Sequence, residues 1–134
     1  MSEAETKTNV AVARWEGDWR ARVRTGDFEL VVDEPPSAGG TGTGPQPTDY
    51  LMTALASCFT LAVAWAARKR DVQLPDLEVR ATGTYDGPRF KHLRLTVTSS
   101  LPAEQLRPLL EPARRACYVS NTIALSPPIE VEIG

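Results

Sequence analysis

Residues 48 to 70, "TDYLMTALASCFTLAVAWAARKR", read as one helix whose apolar side chains leave no wet side. Leu51, Met52, Leu55, Phe59, Ala62, Val63 and Ala66 recur at spacings of three and four, the period of a buried helical face. Ala54, Ala56, Leu61 and Trp65 fill the other sides. A helix that is apolar all round must be covered all round. A chain of 134 residues is the size of one domain, and residues 1–134 are read as one. A single sheet covers half of such a helix. The cheapest cover for the rest is a second copy of the chain. A membrane span is a poor alternative, because the apolar run Leu51 to Ala67 is 17 residues against the roughly 20 a bilayer needs. It also carries Thr53, Ser57 and Thr60.

The flanks supply the sheet. Residues 8 to 33 predict a three-strand meander, "TNVAVARW", "DWRARVR" and, after the turn "TGD", "FELVVD". In the second strand Trp19, Ala21 and Val23 point one way and Arg20, Arg22 and Arg24 the other, a local cationic stripe. The stretch "EPPSAGGTGTGPQP" (34 to 47) is a loop by composition and lacks the Lys-Ser/Thr of a phosphate-binding loop. It delivers the chain to the helix start, where Pro47 or Thr48 is expected to cap and Asp49 favours the positive end of the helix dipole. Beyond the helix, "LPDLEVRATGTYD" and "RFKHLRLTVTSSL" alternate as a hairpin. "PAEQLRPLLEPARRACYV" is a second helix, with Pro108 and Pro112 arguing for a break or kink. "SPPIEVEIG" is expected to close the chain as a short strand. The fold class is α+β.

Charge and composition exclude several functions. A net charge of −2 with interspersed signs gives no basic field for nucleic acid. The polar, acidic start "MSEAETKTNV" has no apolar core for a secretory signal, so the expected compartment is the cytoplasm. One histidine, His92, with two distant cysteines makes no metal site, and no G-x-S-x-G marks a serine nucleophile. No cofactor is called for.

Two cysteines remain, Cys58 inside the apolar helix and Cys117 at the end of the second. A thiol among Leu, Phe and Val has its pKa raised and is inert, whereas a nucleophilic thiolate needs a cation or helix N-terminus. The arginine stripe, Arg20 above all, is the cluster that could serve Cys58. Paired thiols work by attack, sulfenic acid formation and capture by the second thiol. Free cysteines are also among the most buried residue types, so plain core packing stands beside the redox reading.

"GPQPTDYLMTALASCF", "LEVRATGTYD" and "ARRACYVSNTI" together resemble the OsmC/Ohr family of thiol-dependent hydroperoxide reductases, over essentially the whole chain. The resemblance implies an intertwined homodimer in which meander and hairpin pack on a central cysteine helix and a second cysteine helix. It implies reduction of organic hydroperoxides, with Cys58 attacking the peroxide and Cys117 resolving it. It assigns Arg20, or its near alternative Arg22, to the thiolate, and an external dithiol such as a lipoyl group to re-reduction. Leu55, Phe59 and Tyr118 are the expected apolar substrate walls. Where the family has a glutamate after the helix-start proline, this chain has Thr48, with an acid one place later at Asp49. Asp49 and Cys58 lie nine residues apart, about 13.5 Å along a helix, so Asp49 would not touch its own Cys58 and would act by orienting an arginine or across the dimer. The alternative function is a catalytically weak dimer of the same fold that binds a small molecule or partner.

Overall fold

The computed structural model describes residues 7–134, which form two compact units, one up to residue 50 and the other from residue 51 to 134. In the first unit the meander is β1 (Ala11–Trp15), β2 (Ala21–Thr25) and β3 (Phe28–Val32), antiparallel in the order β1-β2-β3. Alternation within β2 is as expected, Ala21 and Val23 half-buried and Arg22 and Arg24 exposed, but it does not extend to the residues before the strand, where Trp19 is exposed and Arg20 half-buried. The arginine stripe is largely neutralised by its neighbours. Arg22 Nε donates to Glu16 Oε2 at 2.9 Å, and Arg24 Nη2 reaches Glu29 Oε1 at 3.4 Å. Arg20 Nε lies 3.3 Å from Glu16 Oε1 without an aligned hydrogen bond.

The Gly/Pro loop is pinned from inside. Asp33, 1% exposed, accepts hydrogen bonds from the hydroxyls and backbone N–H groups of Thr41 and Thr43 and from the N–H of Glu34. Gly40 is required here because a Cβ would sit 1.9 Å from the Glu34 carbonyl oxygen. The long helix, α1, runs Pro47–Lys69. Its start differs from the expected cap at Pro47 or Thr48. Gln46 precedes the first turn, and the Asp49 carboxylate accepts from the Gln46 N–H at 3.2 Å, the reach-back half of a capping box. Pro47 occupies the first helical position, where a missing N–H costs nothing.

In the second unit β4 (Glu78–Tyr85) and β5 (Phe90–Thr98) pair antiparallel, with a bulge between Thr84 and Tyr85. His92 is exposed on β5, opposite Thr84. α2 (Ala103–Ala116) continues through Pro108 and Pro112, and the break comes later, at Cys117, before α3 (Tyr118–Leu125). Packing carries α2 across its prolines, since Leu109, Pro112 and Ala113 are its buried residues. The core joins Phe59, Ala62, Val63, Ala66 and Ala67 of α1 to Leu109, Ala113 and Cys117, with Val79, Leu95 and Val97 of the hairpin packed against them. Leu51, Leu61 and Trp65 of α1 stay exposed. The expected closing strand does not form among the described residues. Residues 126–134 carry no strand, and Ile129, Val131 and Ile133 are at least 90% exposed.

Candidate active site

Cys58 and Cys117 meet. Helical spacing places Cys58 three positions from Leu61 and seven from Trp65, on the exposed stripe of α1, yet it also packs on the core cluster that holds Cys117. Cys58 is also among the polar neighbours that lower the pKa of Cys117. The environments of the two sulfurs differ. Cys117 is 0% exposed, while Cys58 is half-buried in a groove of about 610 Å³ that also presents Leu61, Trp65, Arg115, Tyr118 and Asn121.

Cys117 sits at the hinge between two helices, extended at φ −80° and ψ 104°, as the N-cap of α3. Burial pushes its thiol up. The Ser120 hydroxyl and N–H, the Cys58 thiol and the Val119 N–H more than offset burial, leaving Cys117 below the ordinary thiol range. The α3 N–H groups close no full cap hydrogen bond, so they act as oriented dipoles at a helix N-terminus. The Ser120 hydroxyl is also within 3.4 Å of the Cys117 carbonyl oxygen.

The remaining expected residues distribute as follows. Leu55 and Phe59 line a separate apolar cavity of about 450 Å³, with Leu93, Leu95, Leu110 and Ile123. Tyr118, 84% exposed, lines the Cys58 groove instead, so the three do not form one wall. The apolar surfaces flanking Cys58 are Leu61, Ala62 and Trp65. Asp49 is committed to the helix start, and Thr48 lies in the same first turn. Arg20 and Arg22 share Glu16 in the first unit.

Three residues escaped the sequence. Arg115 is the cation in the Cys58 groove, and its signal was the basic pair "RR" just before Cys117. Ser120 could have been found as the third residue of a helix capped by Cys117. Asp33 gave no signal, since a buried acid that pins a loop looks like any turn aspartate. Among the described residues no cluster of three or more His, Cys, Asp or Glu could hold a metal ion.

A meander, a central cysteine helix, a hairpin and a second cysteine at a helix junction define an α+β thiol protein of the OsmC type. The sequence profile of the OsmC-like protein family matches residues 40–132, and the chain belongs to that family. Solved structures agree on the fold. An osmotic stress induced and detoxification response protein from Psychrobacter arcticus is 22% identical with a TM-score of 0.71, over 91% of each chain. An organic hydroperoxide resistance protein OsmC from Legionella pneumophila is 23% identical (TM-score 0.68, 90% of this chain and 91% of that one). An organic hydroperoxide resistance protein from Vibrio cholerae, with captopril bound in one of the active sites, is 26% identical (TM-score 0.66, 92% of this chain and 88% of that one). No curated protein matches the chain.

Proposed function

We propose that this protein is a cytoplasmic, homodimeric peroxidase that reduces organic hydroperoxides with the Cys58–Cys117 pair and is restored by a dithiol. The observation that carries this reading is a thiol open to a groove packed against the core cluster that seals the second thiol. Cys58 thiolate attacks the distal peroxide oxygen, the O–O bond breaks, and an alcohol leaves once its oxygen is protonated. Cys117 then displaces water from the Cys58 sulfenic acid and closes the disulfide. Arg20 is the cation proposed for the thiolate and the developing alkoxide. Its Nε holds no aligned hydrogen bond, whereas Arg22 is committed to Glu16. Leu61, Trp65 and Tyr118 give the groove an apolar lining suited to an alkyl peroxide over hydrogen peroxide.

A second copy is the proposed outer wall of this groove, facing Leu61 and Trp65 of α1 across it, and the proposed cover for the apolar residues of the C-terminal segment. The test is consumption of cumene hydroperoxide with dithiothreitol as donor. Activity is expected in the parent and absent in Cys58→Ser. A Cys58→Ser protein as active as the parent would rule the mechanism out.

A second reading is a dimer of this fold that binds a small molecule or partner and turns over weakly. The observation that favours it is Asp49, whose carboxylate is occupied at the helix start and so stands in poorly for the family glutamate. Peroxide treatment separates the two. A catalytic Cys58 loses its reaction with iodoacetamide on brief exposure to equimolar cumene hydroperoxide, whereas a dimer that only binds keeps it.

A further inference from the structure

We propose that the apolar cavity between β5 and the three helices binds a medium-chain carboxylic acid, with the alkyl chain among the leucines and the carboxylate on Arg114. The cavity, about 450 Å³, is walled by Leu55 and Phe59 of α1, Leu93 and Leu95 of β5, Leu110 of α2 and Ile123 of α3. All of its lining residues belong to the second unit. Its size is that of a small-molecule site, mostly apolar with a few placed polar groups. Protein interiors leave few voids larger than a water molecule. A space of this size beside the buried Leu55 and Phe59 forfeits contacts that an alkyl chain would supply.

The cavity is not the Cys58 groove. At about 100° per residue, Leu55 and Phe59 stand roughly 100° round α1 from Cys58, Leu61 and Trp65. A second copy that walls the groove therefore meets a different face of the helix, and neither cysteine lines the cavity. The ligand need not be a peroxide, and its binding uses neither thiol.

The head group follows from the charges. Among the described residues the polar lining is Glu111, Arg114 and Ser120. The Ser120 hydroxyl already serves Cys117. Glu111 lies 3.8 Å from Arg115 Nη1, which offsets its charge. Arg114 is exposed and has no ion pair among the described residues, so its charge is the one left over. A guanidinium beside an apolar chamber selects an amphiphile with an anionic head, and its planar fork matches a carboxylate through two parallel hydrogen bonds. An alcohol of the same length keeps the chain contacts and loses the charge contact. An alkylammonium meets a like charge.

The test is calorimetric titration of the full-length reduced protein with octanoate, 1-octanol and octylammonium. Octanoate is expected to bind most tightly and octylammonium most weakly. No octanoate binding, or octylammonium binding as tightly, overturns the proposal. In Arg114→Ala the affinity for octanoate is expected to fall about twofold to fivefold, the scale of an exposed charge contact, with that for octanol unchanged. An unchanged octanoate affinity overturns it. Ala124→Trp and Leu110→Trp bring bulk into the cavity from α3 and α2, and a variant that keeps its melting temperature is expected to lose both ligands. Parent-like binding in both variants overturns the cavity as the site. Cys58→Ser is expected to bind octanoate as the parent does, whether or not the parent consumes cumene hydroperoxide, so this site and the peroxidase reading fail separately. Loss of binding in Cys58→Ser places the ligand in the groove and overturns the proposal.

Discussion

Asp33 and Ser120 show how single side chains set a loop and a thiol through hydrogen bonds alone. The Asp33 carboxylate is saturated by the hydroxyls of Thr41 and Thr43 and by backbone N–H groups, with the Thr41 hydroxyl the largest influence, and its pKa is held far below the usual carboxylate range. A depressed folded pKa means the carboxylate stabilises the fold above the unfolded value of about 4, and that stability is lost as pH falls below it. Asp33→Asn is therefore expected to flatten the loss of thermal stability between about pH 5 and about pH 2, as measured by melting temperature. It should also speed proteolysis within residues 39–44. Ser120 opposes the effect of burial on Cys117. Ser120→Ala is expected to slow thiol reduction of the Cys58–Cys117 disulfide several-fold, read by quenched-flow alkylation, with the melting temperature nearly unchanged.

At the scale of elements, the two helices contrast. α1 is continuous because Pro47 and Asp49 start it well and nothing inside breaks it. α2 carries two prolines that each delete a hydrogen bond, and it persists through the burial of Leu109, Pro112 and Ala113. Leu109→Ala is expected to cost about 2–5 kcal/mol in denaturant unfolding, since Leu109 is 1% exposed at the centre of the core. Pro108 is exposed, and Pro108→Ala restores a backbone donor. The expected gain is about 2 kcal/mol, the helix penalty of proline less its restriction of the unfolded chain. The helices themselves were legible from spacing. The uninterrupted course of α2 was not, because propensity is local and the compensation is tertiary.

For the whole molecule, the apolar surface left open is the dominant feature. Val10, Trp15, Trp19 and Phe28 of the first unit, Leu61 and Trp65 of α1, and the alternating Ile129, Val131 and Ile133 are all exposed. The last three have the period of a strand with no partner strand among the described residues. Light scattering is expected to give twice the chain mass. Trp65→Glu, or truncation after Ser126, should shift the protein to monomer or destabilise it. A wild-type monomer at micromolar concentration would count against the dimer.

The α+β class, the meander, the hairpin and the cysteine-bearing helix follow from periodicity, because periods of two and near four are written into local side-chain order. That α1 exceeds what one chain can cover was equally readable, since apolar residues on all its sides cannot be hidden by one sheet. Cysteine spacing alone cannot tell neighbours from strangers, because residues 59 positions apart are joined only by how α1 packs on α2. Tertiary structure alone decided that Cys58 opens to a groove while Cys117 is sealed, that Arg115 stands in that groove, and that Leu55 and Phe59 face a different cavity. Each of these is a matter of which face of an element meets which other, and burial and electrostatics act through space, not along the chain.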